Sequence, residues 1–194
     1  MINIDQIKQL RKETGISFSE CKKTLEESKG DITLAKEILR KWGKGTAEKK
    51  AERTAREGII ESYIHSNKKI GALLQISCET DFVAKSEEFK NLAHELCLQI
   101  AAANPLFLTT GEISEDFLDG EKKIYQEQLK DSGKPKKIID EIVDGKLEKY
   151  KTEISLLSQA WIKDETKNIK ELIDEYIAKL GENIVIRKFV RYEI

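Results

Sequence analysis

Residues 184–194 constrain the fold most, because they have the pattern of a strand with no neighbour in sequence to pair with. Their apolar side chains share one parity, as in a half-buried strand, at Ile184, Ile186, Val190, Tyr192 and Ile194. The segment before them has helical spacing, so the partner strand must lie far back in the chain. A predicted hairpin of strands 58–66 and 70–78 is available. We therefore expect an antiparallel sheet closed between distant segments.

The second strand of that hairpin shows the clearest alternation in the chain. Every second residue from Ile70 to Cys78 is apolar, while Gln75 and Ser77 take the opposite face. Helical spacing of apolar residues then covers 86–105, 112–131, 135–145, 147–162 and 166–181. These patterns predict an α+β core over 58–194, in which a small antiparallel three-stranded sheet is packed with helices.

The first 43 residues are predicted to form a separate module of three short helices. Each predicted helix begins at a capping residue and ends at a glycine, in the pairs Asn3 and Gly15, Ser17 or Ser19 and Gly30, and Asp31 and Gly43. A module of this size lies near the lower limit for independent folding. Residues 44–57 are charged and poor in large apolar side chains, which predicts a linker between residues 1–43 and the core. Ala47, Ala51 and Ala55 recur every four residues, a spacing that also allows a solvated helix there.

The composition argues against several classes of function. With 34 basic and 35 acidic residues the formal net charge is −1, whereas nucleic-acid binders usually show a basic excess. Cys21, Cys78 and Cys97 are too far apart to suggest a zinc site or a dithiol, and His65 and His94 lack metal-ligand spacing. We predict no metal, cofactor, signal peptide or membrane span, and hence a cytoplasmic interaction protein that is not an enzyme.

The junction Cys78–Ala84, CETDFVA, follows the second predicted strand and leaves two interpretations open. In the first, Thr80 or Asp81 caps the next helix and Phe82 is the first side chain of its core. In the second, Asp81 and Phe82 point outward, since interface hot spots favour an aromatic anchor in a pocket of the partner. The residues alone favour the first.

This junction, extended to CETDFVAKSEEF, closely resembles the signature of the translation elongation factor Ts family. Further matches follow in the same order: LRKETGISFSECKKTLEESKGDITLAKEILRKWG, KKAERTAREG, KPKKIIDEIVDGKLEKY, LLSQAWIKD and GENIVIRKFVRYEI. Together they cover essentially the whole chain, which makes the resemblance specific. It implies that residues 1–43 are similar to ubiquitin-associated domains and that the core carries a helical hairpin near 135–162.

The activity that this resemblance implies is guanine-nucleotide exchange on elongation factor Tu, in its GDP-bound and nucleotide-free states. Thr80, Asp81, Phe82 and Val83 match the stretch that displaces the partner's Mg²⁺. Phe82 would wedge between helices of the partner's nucleotide-binding domain. No bond is made or broken in such an exchange, so no catalytic residue or cofactor is expected.

The resemblance also implies that residues 1–43 dock on the same partner. The matching positions are Arg11, Ile16, Ser17, Phe18, Ser19 and Glu20. Arg11 is equally suited to be an ordinary solvated charge of its helix. Ser19 departs from the family, which is often apolar there, and its role is open.

The length of the chain resembles the short form of the family, in which a single-half core pairs into a homodimer. The C-terminal strand is a candidate edge for such pairing, since an unpaired edge invites another chain. A different function, an adaptor for ubiquitin-like proteins, rests on residues 1–43 alone and leaves the core unexplained. An enzyme is the third alternative, but no cluster of residues supports it.

Overall fold

The computed structural model describes residues 3–130 and 132–194. The helices in this part of the chain are α1 Ile4–Thr14, α2 Phe18–Glu27, α3 Ile32–Lys50, α4 Asp81–Ala84, α5 Glu87–Ala103, α6 Glu115–Leu129, α7 Lys136–Ile154 and α8 Ile169–Leu180. The strands are β1 Glu57–Ile64, β2 Ile70–Cys78, β3 Ala160–Trp161, β4 Asp164–Asn168 and β5 Val185–Glu193.

The main sheet is three-stranded and antiparallel in the order β1-β2-β5, which confirms the predicted α+β class. Its central strand β2 buries Ala72, Leu74 and Ile76 as the alternation predicts. Helices α5 and α8 supply the other half of this core, with Phe89 and Ile169 fully buried. The C-terminal strand thus pairs back onto the hairpin, and the core closes between distant segments.

Strand β5 changes face at a bulge, so its predicted single parity is wrong beyond Ile186. Gln75 pairs with Lys188 while Ile76 pairs with Ile186, which leaves Arg187 as an extra residue. A bulge of one residue moves every later side chain to the other face of the sheet. Ile184 and Ile186 are buried accordingly, whereas the far end of the strand is exposed, by 68% at Tyr192 and 94% at Ile194.

Helices α1, α2 and the first half of α3 enclose a small core of their own. Its apolar side chains are Ile7, Leu10, Ile16, Cys21, Leu25, Ala35 and Leu39. The predicted caps are present: Asn3 forms a capping box with Gln6, and the side chains of Ser17 and Asp31 accept hydrogen bonds at the starts of α2 and α3.

The third helix does not end at Gly43, as predicted, but continues to Lys50, so the first half of the predicted linker 44–57 is helical. The continuation is held by α8: Gly43 lies against Ala178, and Ala47 is part of the main core. Arg40, one turn earlier, pairs with Glu171 at the start of α8. The small residues on one face of this charged helix are therefore packed, whereas the sequence allowed only a solvated helix there.

The helical hairpin is formed by α6 and α7, over 115–154, so the range expected near 135–162 contains its second helix only. Helix α7 stops at Ile154 because its last carbonyls find partners elsewhere in the core. Leu106 N and Phe107 N donate to Ile154 O at 2.9 and 3.1 Å, and Gln159 Nε2 donates to Glu153 O at 2.6 Å. The predicted helix beyond this point is replaced by the β3–β4 ribbon.

Candidate functional site

The junction CETDFVA places one large apolar side chain in solvent. Phe82 is 81% exposed, whereas the next two residues, Val83 and Ala84, are buried in the main core. Thr80 caps the four-residue helix α4 by accepting a hydrogen bond from Val83 N at 3.3 Å. Of the two interpretations, the cap is confirmed for Thr80, but the core role of Phe82 is wrong.

Val83 is buried and therefore holds the junction in the core, although the family resemblance groups it with the contact residues. The Cys78 thiol, also buried, donates to Thr80 O at 3.2 Å at the start of the turn. Burial raises the pKa of the Cys78 thiol to about 11, so this cysteine is neutral and serves packing. The exposed ring of Phe82 thus projects from a turn that is held by buried Cys78 before it and buried Val83 after it.

Asp81 and Lys85 border the exposed ring on one turn of helix. Lys85 Nζ donates to Asp81 Oδ2 at 2.7 Å, and both side chains are solvated. The hydrogen bond from Lys85, together with its charge, lowers the pKa of the Asp81 carboxyl below 3.8. Asp81 is consequently a carboxylate at neutral pH, and it lies beside an uncovered aromatic ring.

A carboxylate from the distant α8–β5 loop fixes the backbone of this turn. Glu182 accepts hydrogen bonds from Glu79 N at 2.9 Å, Thr80 N at 2.9 Å and Thr80 Oγ1 at 2.6 Å. Sequence reasoning missed this residue, because the bonded positions lie 102 and 103 residues apart. The only local signal was Gly181, a helix-ending glycine directly before it.

The positions predicted for the N-terminal contact lie around the start of α2 and on α1. Arg11 is exposed on α1, and Phe18 is 39% exposed at the first position of α2. Ser17 accepts from Glu20 N at 3.3 Å, and its hydroxyl lies 3.1 Å from that of exposed Ser19. Ile16 is buried in the small core and supports this loop from below. Binding by these residues stays a prediction.

The junction lies on the main core and the predicted N-terminal contact residues lie on the small core. Helix α3 joins the two cores. The small core holds Ile16, and α3 leaves that core to pack on α8. Beyond its end, Asn183 Nδ2 donates to Ala51 O at 3.2 Å and to Arg53 O at 2.8 Å, one residue after the Glu182 that holds Thr80. A single loop therefore contacts both the Phe82 turn and the segment leading to the N-terminal helices.

Over residues 3–130 and 132–194, no group of three or more histidine, cysteine, aspartate or glutamate side chains is placed to hold a metal ion. Within the same residues, no helix combines the length and the apolar character needed to cross a membrane. What the junction offers is an aromatic ring and a carboxylate presented on a fastened turn, which suits contact with another macromolecule.

Known proteins of one family are similar to this chain. The family model Elongation factor TS matches residues 35–194. Elongation factor Ts of Thermotoga petrophila is 52% identical over 193 residues, covering 100% of this chain and 96% of that protein. The proteins of that name from Caldanaerobacter subterraneus and Thermodesulfovibrio yellowstonii are 49% and 50% identical, again over 100% of this chain and 96% of theirs.

Proposed function

The chain belongs to the elongation factor Ts family and is a translation elongation factor, and on this premise we propose that it is the guanine-nucleotide exchange factor of elongation factor Tu. The observation that carries the proposal is the 81% exposure of Phe82 directly before the buried residues Val83 and Ala84. In this proposal the protein acts in the cytoplasm, by binding its partner and without covalent chemistry.

The proposed mechanism acts on the partner's bound Mg²⁺. Mg²⁺ bridges the nucleotide phosphates to protein ligands and neutralises their charge. Phe82 enters between helices of the partner's nucleotide-binding domain and, with Asp81 beside it, shifts the groups that hold the ion. Thr80 and Val83 act by holding the turn, because one caps α4 and the other is buried.

The energetics require differential binding. A nucleotide held with nanomolar affinity is bound by about 12 kcal/mol, which one exposed ring cannot cancel. The exchange factor lowers this affinity by binding the nucleotide-free partner more tightly than the GDP-bound one. The coupling is reciprocal, so GDP or GTP in turn releases the exchange factor.

The N-terminal helices supply a second docking surface in this proposal. Arg11 and Phe18 offer a charge and an apolar ring in solvent, and Ser17, Ser19 and Glu20 are neighbours of Phe18 in the chain. Ile16 contributes by supporting the loop. Such a remote contact adds affinity, so that the energy of the Phe82 contact is free to act on the nucleotide site.

Release of fluorescent GDP from purified elongation factor Tu tests the proposal. The wild-type chain should accelerate release, and Phe82→Ala should lower the maximal accelerated rate by about tenfold or more, as expected for a hot-spot aromatic. Ile124→Ala, at an exposed apolar position of α6, is the matched control and should keep the full rate. Equal acceleration by wild type and Phe82→Ala contradicts the wedge.

We also propose that the chain pairs into a homodimer through the sheet. Strands β1 and β5 are its edges, and Ile60, Ile64 and Tyr192 are exposed apolar residues of these strands, next to exposed Leu73 of the central strand β2. An open edge next to uncovered apolar area favours association with a second copy. Light scattering at micromolar concentration should give twice the mass of one chain, and Tyr192→Glu should reduce it toward the monomer.

A further inference from the structure

We propose that Glu182 is the positioning residue of the exchange site, because it sets the backbone from which Phe82 projects. This inference rests on the exchange function proposed above and assigns a role to a residue outside the junction. Glu182 directly follows Gly181, whose left-handed φ of 78° ends α8 and turns the chain toward the Phe82 turn.

The contact is built from both oxygens of one carboxylate. Oε2 accepts from Glu79 N and Thr80 N, each at 2.9 Å, and Oε1 accepts from Thr80 Oγ1 at 2.6 Å. Hydrogen bonds to an ionised acceptor are shorter and about twice as strong as neutral ones. They bind two successive backbone amides and the capping hydroxyl, which fixes the orientation of the residues directly before Phe82.

The same Thr80 hydroxyl connects Glu182 to the helix that carries the ring. While its hydrogen is donated to Glu182, its oxygen accepts from Val83 N at 3.3 Å. Phe82 lies within this capped turn, and its own side chain is too exposed for the protein to hold it by packing. Its direction therefore depends on the backbone, and the backbone before it depends on Glu182.

Asn183, the next residue after Glu182, links the Phe82 turn to the segment that leads to the N-terminal helices. Asn183 is buried and donates its backbone N–H to Glu79 Oε1 at 2.7 Å. Its side-chain amide donates to Ala51 O and Arg53 O. Residues 182–183 thus hold the Phe82 turn and the end of the α3 segment together. Removing the Glu182 carboxylate should loosen the Phe82 turn and leave the bonds of Asn183 to Ala51 O and Arg53 O in place.

Hydrogen exchange of the free full-length protein tests the positioning directly. In Glu182→Ala the amide hydrogens of Glu79 and Thr80 lose their acceptor, and their exchange should accelerate by about tenfold or more. Amides of α5 should keep their wild-type rates. Glu165→Ala, at an exposed glutamate of β4, is the control and should change neither region. Unchanged exchange at 79–80, or equal acceleration in α5, overturns the proposal.

Release of fluorescent GDP from elongation factor Tu tests whether the positioning acts through the ring. Glu182→Ala should lower the maximal rate by about tenfold and change the half-saturating concentration by less than about twofold. In the Phe82→Ala background, Glu182→Ala should lower the maximal rate by less than about twofold, because the effects of coupled residues are not additive. Glu182→Gln keeps an oxygen for the two amides and should lose only about threefold.

An equal loss from Glu182→Ala with and without the Phe82 ring overturns the proposal, since Glu182 would then act by another route. Failure of the wild-type chain to accelerate release contradicts the exchange function. The hydrogen-exchange comparison decides the positioning role in that case as well, so the two ideas fail by different measurements.

Discussion

At the scale of single residues, two phenylalanines seven positions apart lie in opposite environments. Phe82 is 81% exposed and Phe89 is fully buried in the main core. We expect Phe82→Ala to change the free energy of unfolding by less than about 0.5 kcal/mol, as for other surface positions. Phe89→Ala should cost about 3–5 kcal/mol through lost burial and the cavity left behind.

Urea denaturation of the two variants checks this contrast. The pair serves as its own control, because the chemical change is identical and only the surroundings differ. A cost above about 2 kcal/mol for Phe82→Ala would show that the ring packs within the fold, and any loss of exchange activity would then reflect folding.

The buried thiol of Cys97 predicts a pH dependence of stability. Burial, reinforced by the charge of Glu61, raises the pKa of this thiol from 9.0 to about 12. The folded state keeps the proton that the unfolded state loses above pH 9, so stability is complete below pH 9 and falls between pH 9 and 12. The loss approaches about 1.4 kcal/mol per pH unit for one such group.

Urea unfolding of wild type and Cys97→Ala between pH 8 and 11 isolates this group from the other titrating residues. The stability advantage of wild type should shrink as the pH rises above 9. Leu96→Ala, at the buried neighbour of Cys97, should keep a constant difference from wild type, because it removes no titrating group. Parallel curves for Cys97→Ala would contradict the raised pKa.

At the scale of elements, Gly43 distinguishes a helix end from a helix interior. It is a buried residue within α3, and a Cβ there would meet Ala178 Cβ at 3.7 Å and Asp174 O at 3.8 Å, which is ordinary contact. Gly43→Ala should therefore stabilise the protein by about 0.5–1 kcal/mol through helix propensity. Thermal and urea unfolding measure the change.

Gly15 is the matched glycine, because it does end a helix. Its φ is +70°, and an added Cβ would approach Lys179 Cε to 2.6 Å. Gly15→Ala should destabilise by about 1 kcal/mol or more, the cost of a left-handed conformation for a residue with a Cβ. Destabilisation of similar size at Gly43 would contradict the continuous helix.

Local patterns predicted those elements whose causes are local. The alternation of Ile70–Cys78 and the capping residues of α1, α2 and α3 were confirmed, since these depend on neighbouring residues. The bulge at Arg187 and the end of α7 at Ile154 depend on partners far along the chain. No periodicity within either segment contains that information.

The candidate site likewise has features that the sequence predicted and features that it did not. Its position was predicted from the junction sequence and the family resemblance. The exposure of Phe82 was implied by the resemblance but not by the residues alone, because a four-residue helix is too short for a pattern to assign its faces. Glu182 was missed altogether, since its bonds reach across more than a hundred residues.

At the scale of the whole molecule, α3 makes the N-terminal helices and the core parts of one arrangement. Its first half contributes Ala35 and Leu39 to the small core, and its second half contributes Ala47 to the main core. Arg40 and Lys50 bond to the two ends of α8, at Glu171 and at Gly181 O. The two proposed docking surfaces are therefore held at a set separation before any partner binds, which reduces the entropy lost on binding.

Breaking α3 between its two cores should separate these surfaces. Gly45→Pro removes a helical hydrogen bond and introduces a clash, at about 3 kcal/mol or more for a helix interior. Gly45→Ala is the control, since a Cβ at Gly45 meets no atom within 4 Å and the helix is kept. Spin labels on Lys23→Cys in α2 and Asn91→Cys in α5, diluted with unlabelled protein, report the separation.

We expect a narrow distance distribution between these labels in wild type and Gly45→Ala, and a broad one in Gly45→Pro. In GDP release, Gly45→Pro should raise the half-saturating concentration by about tenfold, because the second contact is no longer placed in advance. Its maximal rate should stay within about twofold of wild type, since the Phe82 turn is held by Glu182, which lies outside α3. A narrow distribution with unchanged kinetics in Gly45→Pro would show that contacts other than the helix hold the N-terminal helices in place.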